Sequence, residues 1–284
     1  MSQMSSDIRK TNPVALFFMY TLVILFAILA AYPIFWVIMA SFKTTQEFMA
    51  TSKLALPEKW FYQNYTFAWR DANFALLTFN SIFYTSVTVI SIIILSFMAG
   101  FAFAKLPTKI TPLLHGSFIV GILITLQCIM IPLFLIIRTV GLYNTRLGVL
   151  IPYVGIGLPL GIYLATEYIK GIHNEIIESA RIDGAKYLGI FWRIILPMAA
   201  PVATTVAILT TTGTWNEFML INILVAADRF KSVPLGMYMF SGVMATDYGK
   251  QFAALVTGMM PMIIFYVIFR KQITKGVSAG AVKG

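Results

Sequence analysis

The stretch EYIKGIHNEIIESARIDGAKYLGIFWRIILPMAAP, residues 167–201, decides how the rest of the chain is read. Asn174 is suited to cap a helix that opens with Glu175, a carboxylate favourable at the positive helix end. Ile172, Ile176, Ile177 and Ala180 recur at helical spacing and make one face apolar. Asp183 and Gly184 close that helix, because glycine accepts a left-handed terminal conformation. A second short helix over 185–196 carries Tyr187, Leu188, Phe191 and Trp192, and Pro197 marks the next boundary. The result is a helix-turn-helix with an apolar ridge. A loop in water should not expose Ile176, Ile177, Tyr187, Leu188 and Phe191 together, and apolar patches rimmed by charge are usually interaction sites. A helix lying on the bilayer surface, or packed beneath neighbouring spans, fits the same pattern.

What flanks this loop is apolar on a scale that only a membrane accommodates. The chain has 284 residues, 59% hydrophobic and 11% charged, against about 25% charged in soluble domains. Such a surface cannot be hidden inside one globule, so the bilayer must act as solvent for much of it. A soluble enzyme, a nucleic-acid-binding domain and a disordered tail are excluded. The net charge of +10 reads as retention of basic loops on one membrane face, not as a nucleic-acid footprint. Cys128 is the sole cysteine, in an apolar run that suits a small packing residue, so no intrachain disulfide forms. With only His115 and His173 beside it, a zinc or haem site is not expected and no metal is assigned.

Charge-free runs place six spans at about residues 14–42, 74–104, 110–137, 147–169, 197–225 and 251–270, each near the length of about 20 residues needed to cross the hydrocarbon as a helix. The expected fold is all-α, a single polytopic membrane domain over 1–284. The fourth run is broken by Gly148, Pro152, Gly155, Gly157, Pro159 and Gly161, so its helix is expected to start late, near Pro159. The first run is too long for a signal-peptide core of about 7–15 residues and reads as a permanent anchor. With both termini in the cytoplasm, the inner face carries 12 of the 21 Lys and Arg, and the short loop 105–109 and the tail 270–275 carry most of that bias. The loop 170–196 is then inside, and the loops 43–73 and 227–250 are outside. Trp60, Phe61, Tyr62, Tyr65 and Trp69 in the first outer loop suit an interfacial belt or a partner contact. No internal repeat is visible.

The residues Glu178, Ser179 and Ala180, then Asp183, Gly184 and Ala185, then Phe191, Ile194, Leu196, Pro197 and Pro201 resemble the EAA-type loop of ABC importer permeases. Only Ser179 departs, where the family usually has alanine. The run Ile131–Phe134 through Gly141–Thr145 is similar to the third-to-fourth-span region of carbohydrate permeases of the maltose type. Trp215, Asn216, Glu217 and Phe218 resemble their fifth-span motif, and Gly276 with 279–284 their C-terminal tail. The likeness runs from about residue 79 to the end and points to the smaller, six-span subunit. It implies a cytoplasmic coupling helix-turn-helix in which Glu178, Ala180, Asp183, Gly184, Ala185 and Phe191 contact an ATPase. It also implies a second, different permease subunit, two ATPase subunits that bind ATP and Mg in trans, an extracytoplasmic solute-binding protein and the inner membrane of a prokaryote. No cofactor belongs to this chain, which has no G-x-x-x-x-G-K-[ST] phosphate loop.

Polar groups inside spans are functional candidates by default. Asn80, Gln127, Trp215, Asn216 and Glu217 are the chosen substrate-path candidates, with Ser81, Thr85, Thr210 and Thr214 nearby. Sugars need aromatic faces for their C–H surface and amides or carboxylates for their hydroxyls. Residues 201 to 216 span about 22 Å as a helix, so Trp215 as an interfacial anchor and Glu217 in water are equally open. The leading expectation is a carbohydrate importer working by alternating access, with the outer loop 227–250 touching the binding protein through Val233–Gly236, Tyr238, Phe240 and Tyr248. The alternative cargo, a glycerol-phosphate ester, would want buried cations, which the spans lack. A membrane-embedded enzyme would need an intramembrane carboxylate or histidine pair, and neither is present. Glu178 is open to pairing with an ATPase cation or with Arg181, three positions on.

Overall fold

The computed structural model describes residues 13–237 and 247–281, with side chains through 272. Arg9 and Lys10, the loop residues Tyr238 and Phe240, and the last three residues of the tail lie outside the described residues. In chain order the helices are α1 (Pro13–Ala40), α2 (Thr45–Ala50), α3 (Gln63–Asp71), α4 (Phe74–Lys105), α5 (Thr111–Leu123), α6 (Leu126–Thr139), α7 (Arg146–Lys170), α8 (Asn174–Ile182), α9 (Tyr187–Met198), α10 (Ala200–Trp215), α11 (Met219–Leu224) and α12 (Tyr248–Ala281). No strand occurs among the described residues.

Four helices are long and apolar enough to span by themselves: α1, α4, α7 and Tyr248–Gln272 of α12. Two further pairs are bent, α5 with α6 by 107° and α9 with α10 by 76°. Six spans result when each bent pair counts as one. The unbroken helix expected over 110–137 is therefore corrected, and the one expected over 197–225 ends at Trp215, whereas the bend between α9 and α10 falls close to the boundary expected at Pro197. Ile124 and Thr125 are extended, with ψ of 114° and 148°, which ends α5 before α6 begins. Between α9 and α10 the chain turns at Ala199, flanked by Pro197 and Pro201, whose rings withhold two backbone donors. Beyond Trp215 the chain leaves α10 and starts the separate short α11.

The late start expected for the fourth span is also corrected. α7 begins at Arg146, where the Thr145 side chain accepts the Gly148 amide at 3.1 Å, and it continues through Pro152 and Pro159. Gly157 and Gly161 serve packing. A Cβ on Gly161 would lie 3.0 Å from both Ile92 and Ser96, so glycine lets α7 approach α4 closely.

The chain divides into two compact units, 1–70 with 240–257, and 71–239 with 258–284. In the first, no residue of α1 before Ala40 is buried, as befits a charge-free helix solvated by lipid or covered by another chain. The chain just past its C-terminal end is pinned by Asn64, whose amide donates to the Ser41 and Lys43 carbonyls at 2.8 Å each. Phe48 packs between Trp36, Tyr248 and Phe252, and the Thr45 hydroxyl donates to Asp247 at 2.8 Å.

The second unit is built on the α4–α7 pair and has two cores. One gathers Phe97 and Phe101 of α4, Ala165 and Ile169 of α7, and Ile190 and Ile195 of α9. The other gathers Tyr84, Val149, Tyr153, Leu220 and Leu224 at the opposite end of α4 and α7.

Candidate functional site

The helix-turn-helix forms at α8 and α9. Its turn is a Schellman closure: Gly184 has φ +81°, its amide donates to the Arg181 carbonyl at 3.0 Å, and the Ala185 amide reaches back to Ala180 at 2.9 Å. Only glycine takes that φ without strain. The start of α8 differs from expectation. Asn174 is its first residue, not its cap, and the Asn174 side chain accepts from the Lys105 ammonium at 2.8 Å. Ile177 and Ala180 are buried and root α8 in the core, and Ala185 is half-buried against the same core. Phe191 is buried too, its ring 6.2 Å from Phe101, so of the five residues expected on the exposed ridge Ile176, Tyr187 and Leu188 are exposed and Ile177 and Phe191 are not. Ile182 is 86% exposed, Leu188 59% and Trp192 43%, beside exposed Glu178, Asp183 and Gly184. Arg181 lies over the Tyr187 ring at 4.3 Å, and among the described residues no ion pair joins it to Glu178.

At the other end of the bundle a set of side chains fastens the segment after α11. The Asn144 side chain, at φ +58°, accepts from the Ala226 and Ala227 amides at 3.1 and 2.9 Å. Asn80 donates to the Arg229 and Lys231 carbonyls at 2.9 Å each and accepts from Arg146 at 3.2 Å. Tyr84 donates to the Phe230 carbonyl at 3.0 Å, and Ser81 accepts from the Val233 amide at 2.9 Å. Asn80 is fully buried, and its amide holds a loop that lies about 150 residues away in sequence.

Between α4, α7 and α10 lies a cavity of about 290 Å³. Ile92, Ile156, Leu160 and Leu209 give it an apolar wall, and Tyr153, Thr210, Thr214 and Glu217 give it polar atoms. Glu217 accepts from the Tyr153 hydroxyl at 2.7 Å and from the Leu220 and Ile221 amides at 2.6 and 3.1 Å. It therefore caps α11 with a negative charge at the helix N-terminus and ties α11 to α7. Trp215 is buried and does not line the cavity, against the expectation of an aromatic face for a sugar. Asn216 is exposed and its amide donates to the Thr212 carbonyl at 2.9 Å. Gln127 is exposed on α6, its amide 4.0 Å from the Met219 sulfur. Of the five path candidates, only Glu217 reaches the cavity. Sequence reasoning missed Tyr153, one of three tyrosines in a run read as broken by glycine and proline, and Asn144, which sits in the 141–145 motif.

Residues 95–278 match the family described as binding-protein-dependent transport system inner membrane component. The diacetylchitobiose uptake system permease protein NgcG of Streptomyces coelicolor is 32% identical over 92% of this chain and 87% of its own. The multiple sugar-binding transport system permease protein MsmG of Streptococcus mutans is 31% identical over 97% of this chain and 100% of its own. A crystal structure of a bacterial ABC transporter involved in the import of the acidic polysaccharide alginate contains a chain of the same fold, with a TM-score of 0.79 at 24% identity, covering 92% of this chain and 98% of that one. With nearly two thirds of its length inside the family match and full-length relatives above 30% identity, this chain belongs to the binding-protein-dependent transport system inner membrane components, as a multi-pass, non-enzymatic permease subunit of an ABC transporter.

Proposed function

We propose that this permease imports a sugar, handed over by an extracytoplasmic binding protein, by alternating access. Its partners are a second, different permease subunit and two ATPase subunits that bind ATP and Mg. It resides in a prokaryotic inner membrane with both termini and the loop 170–196 in the cytoplasm. The relatives named for diacetylchitobiose and for multiple sugars support the cargo class. The cavity lining adds to it: one carboxylate, a phenol and two threonine hydroxyls, with no Lys or Arg among the lining residues to hold a phosphate ester.

The observation that carries the coupling role is the ridge of Ile182, Leu188 and Trp192, held outward on a turn whose base, Ile177, Ala180 and Phe191, is set in the bundle core. An anchored element with an exposed apolar face suits helix-in-groove docking, and the groove is assigned to the ATPase. Glu178, Asp183 and Gly184 lie on the docking side, whereas Ala180, Ala185 and Phe191 support it from behind. The test is the pair Ile182→Asp and Leu188→Asp in the intact importer. Each should strip the ATPase from the detergent-extracted complex while membrane insertion and permease pairing persist. Full retention of the ATPase by both variants would remove the ridge from the contact.

A further inference from the structure

Lys105 is the last residue of α4, and charge bias alone would count it only as one more inner-face cation. Its ammonium donates to the Ile172 carbonyl at 2.5 Å, to Asn174 Oδ1 at 2.8 Å and to the Lys170 carbonyl at 3.4 Å. All three acceptors lie where α7 ends and α8 begins, and together they match the three donors of an ammonium. The Lys170 carbonyl is the last of α7 and Ile172 follows its C-cap Gly171, so the ammonium sits at a helix C-terminus, where unsatisfied acceptors and the helix dipole favour a cation. One turn earlier on the same face of α4, Phe101 packs against Phe191 of α9. The inner end of α4 thus holds both arms of the helix-turn-helix.

The same helix reaches the cavity. Ile92 lines it, packs against Gly157 and Gly161 of α7, and lies about 20 Å along α4 from Lys105. Ile92, Phe97 and Phe101 are all buried, so this part of α4 is clamped along its length. We infer that Lys105 is the positioning residue that passes movement of the coupling loop into α4, and through it to the cavity wall. The inference rests on the docking reading above and adds to it the route by which docking reaches the substrate path.

The experiment uses the complete importer, with Cys128→Ser and Thr210→Cys placing one thiol in the cavity wall. The probe is a methanethiosulfonate ethylammonium reagent, and the readout is how far ATP with vanadate changes its labelling rate. Lys105→Met should keep the ATPase bound and hydrolysing while the nucleotide-dependent change shrinks about tenfold, the scale set by losing charge-assisted hydrogen bonds. Lys105→Arg should restore most of the change, and Asn174→Ala, which removes one acceptor, should give an intermediate loss. If Lys105→Met fails to assemble, Asn174→Ala decides alone. A wild-type response in Lys105→Met or Asn174→Ala, no rescue by Arg, or loss of the ATPase from the Lys105→Met complex would overturn the proposal. A background importer whose labelling ignores nucleotide would overturn it along with alternating access, and that failure is recognisable because it precedes any change at Lys105.

Discussion

Replacing Glu217 by alanine tests the geometry of the cavity's polar edge. The carboxylate accepts three hydrogen bonds, from Tyr153 at 2.7 Å and from two amides of α11 at 2.6 and 3.1 Å. Loss of an N-terminal cap costs about 1 kcal/mol, and a hydrogen bond to a charged acceptor is worth about 1.5–3 kcal/mol. Because Glu217 is only half-buried, the combined loss is set at about 2–4 kcal/mol, with the Tyr153 hydroxyl left unpaired at the cavity. Glu217→Gln keeps a side-chain oxygen to accept and should lose about 0.5–1.5 kcal/mol. The assay is fluorescence-monitored thermal unfolding of the detergent-extracted complex, where Glu217→Ala should melt several degrees below Glu217→Gln. A double-mutant cycle with Tyr153→Phe should show a coupling energy of about 0.5–3 kcal/mol. Glu217→Ala melting with the wild type, or a cycle with no coupling, would refute the clamp.

Asn144→Ala removes two accepted bonds and leaves alanine at φ +58°, so it should destabilise by about 2–3 kcal/mol in the same melt; Asn144→Gly, free of the strain, should lose less. Gly161→Leu forces a side chain into Ile92 and Ser96 and should cost about 1–3 kcal/mol or part α4 from α7, read as a lower melting point with reduced transport. Native mass spectrometry of the extracted importer should find one copy of this chain with a different permease, and two copies without one would sink the heterodimer.

Much of the helix-turn-helix was legible because its signals are local. Gly184 needs a positive φ for reasons that lie within five residues, and charge-free runs mark lipid-facing helices whatever they pack against. Two of the misreadings share a cause: they concern partners distant in sequence. The glycines of α7 read as breakers until Ile92 and Ser96, more than 60 residues earlier, are seen against them. Asn80 resembled a path residue because its carbonyl partners at 229 and 231 are invisible to any local window. Phe191 begins a π-helical turn, Phe191–Ile195, that shifts the register of α9 beyond it, and no residue type announces that turn. The break at Ile124 and Thr125 carries neither glycine nor proline, and nothing in that short apolar run announces it.

We propose that this chain couples ATP hydrolysis by a docked ATPase to sugar import through the loop closed by Gly184. The direct measurement is Gly184→Val in the importer reconstituted in vesicles with its binding protein, using the sugar which that protein retains best from a panel of disaccharides and oligosaccharides. Valine is strained at φ +81°, by about 1–2 kcal/mol before any contact is counted, and the exposed ridge turns with the backbone. The account predicts normal insertion and permease pairing, with the ATPase lost from the complex or hydrolysing ATP without uptake. Normal ATPase retention together with normal sugar uptake would contradict it.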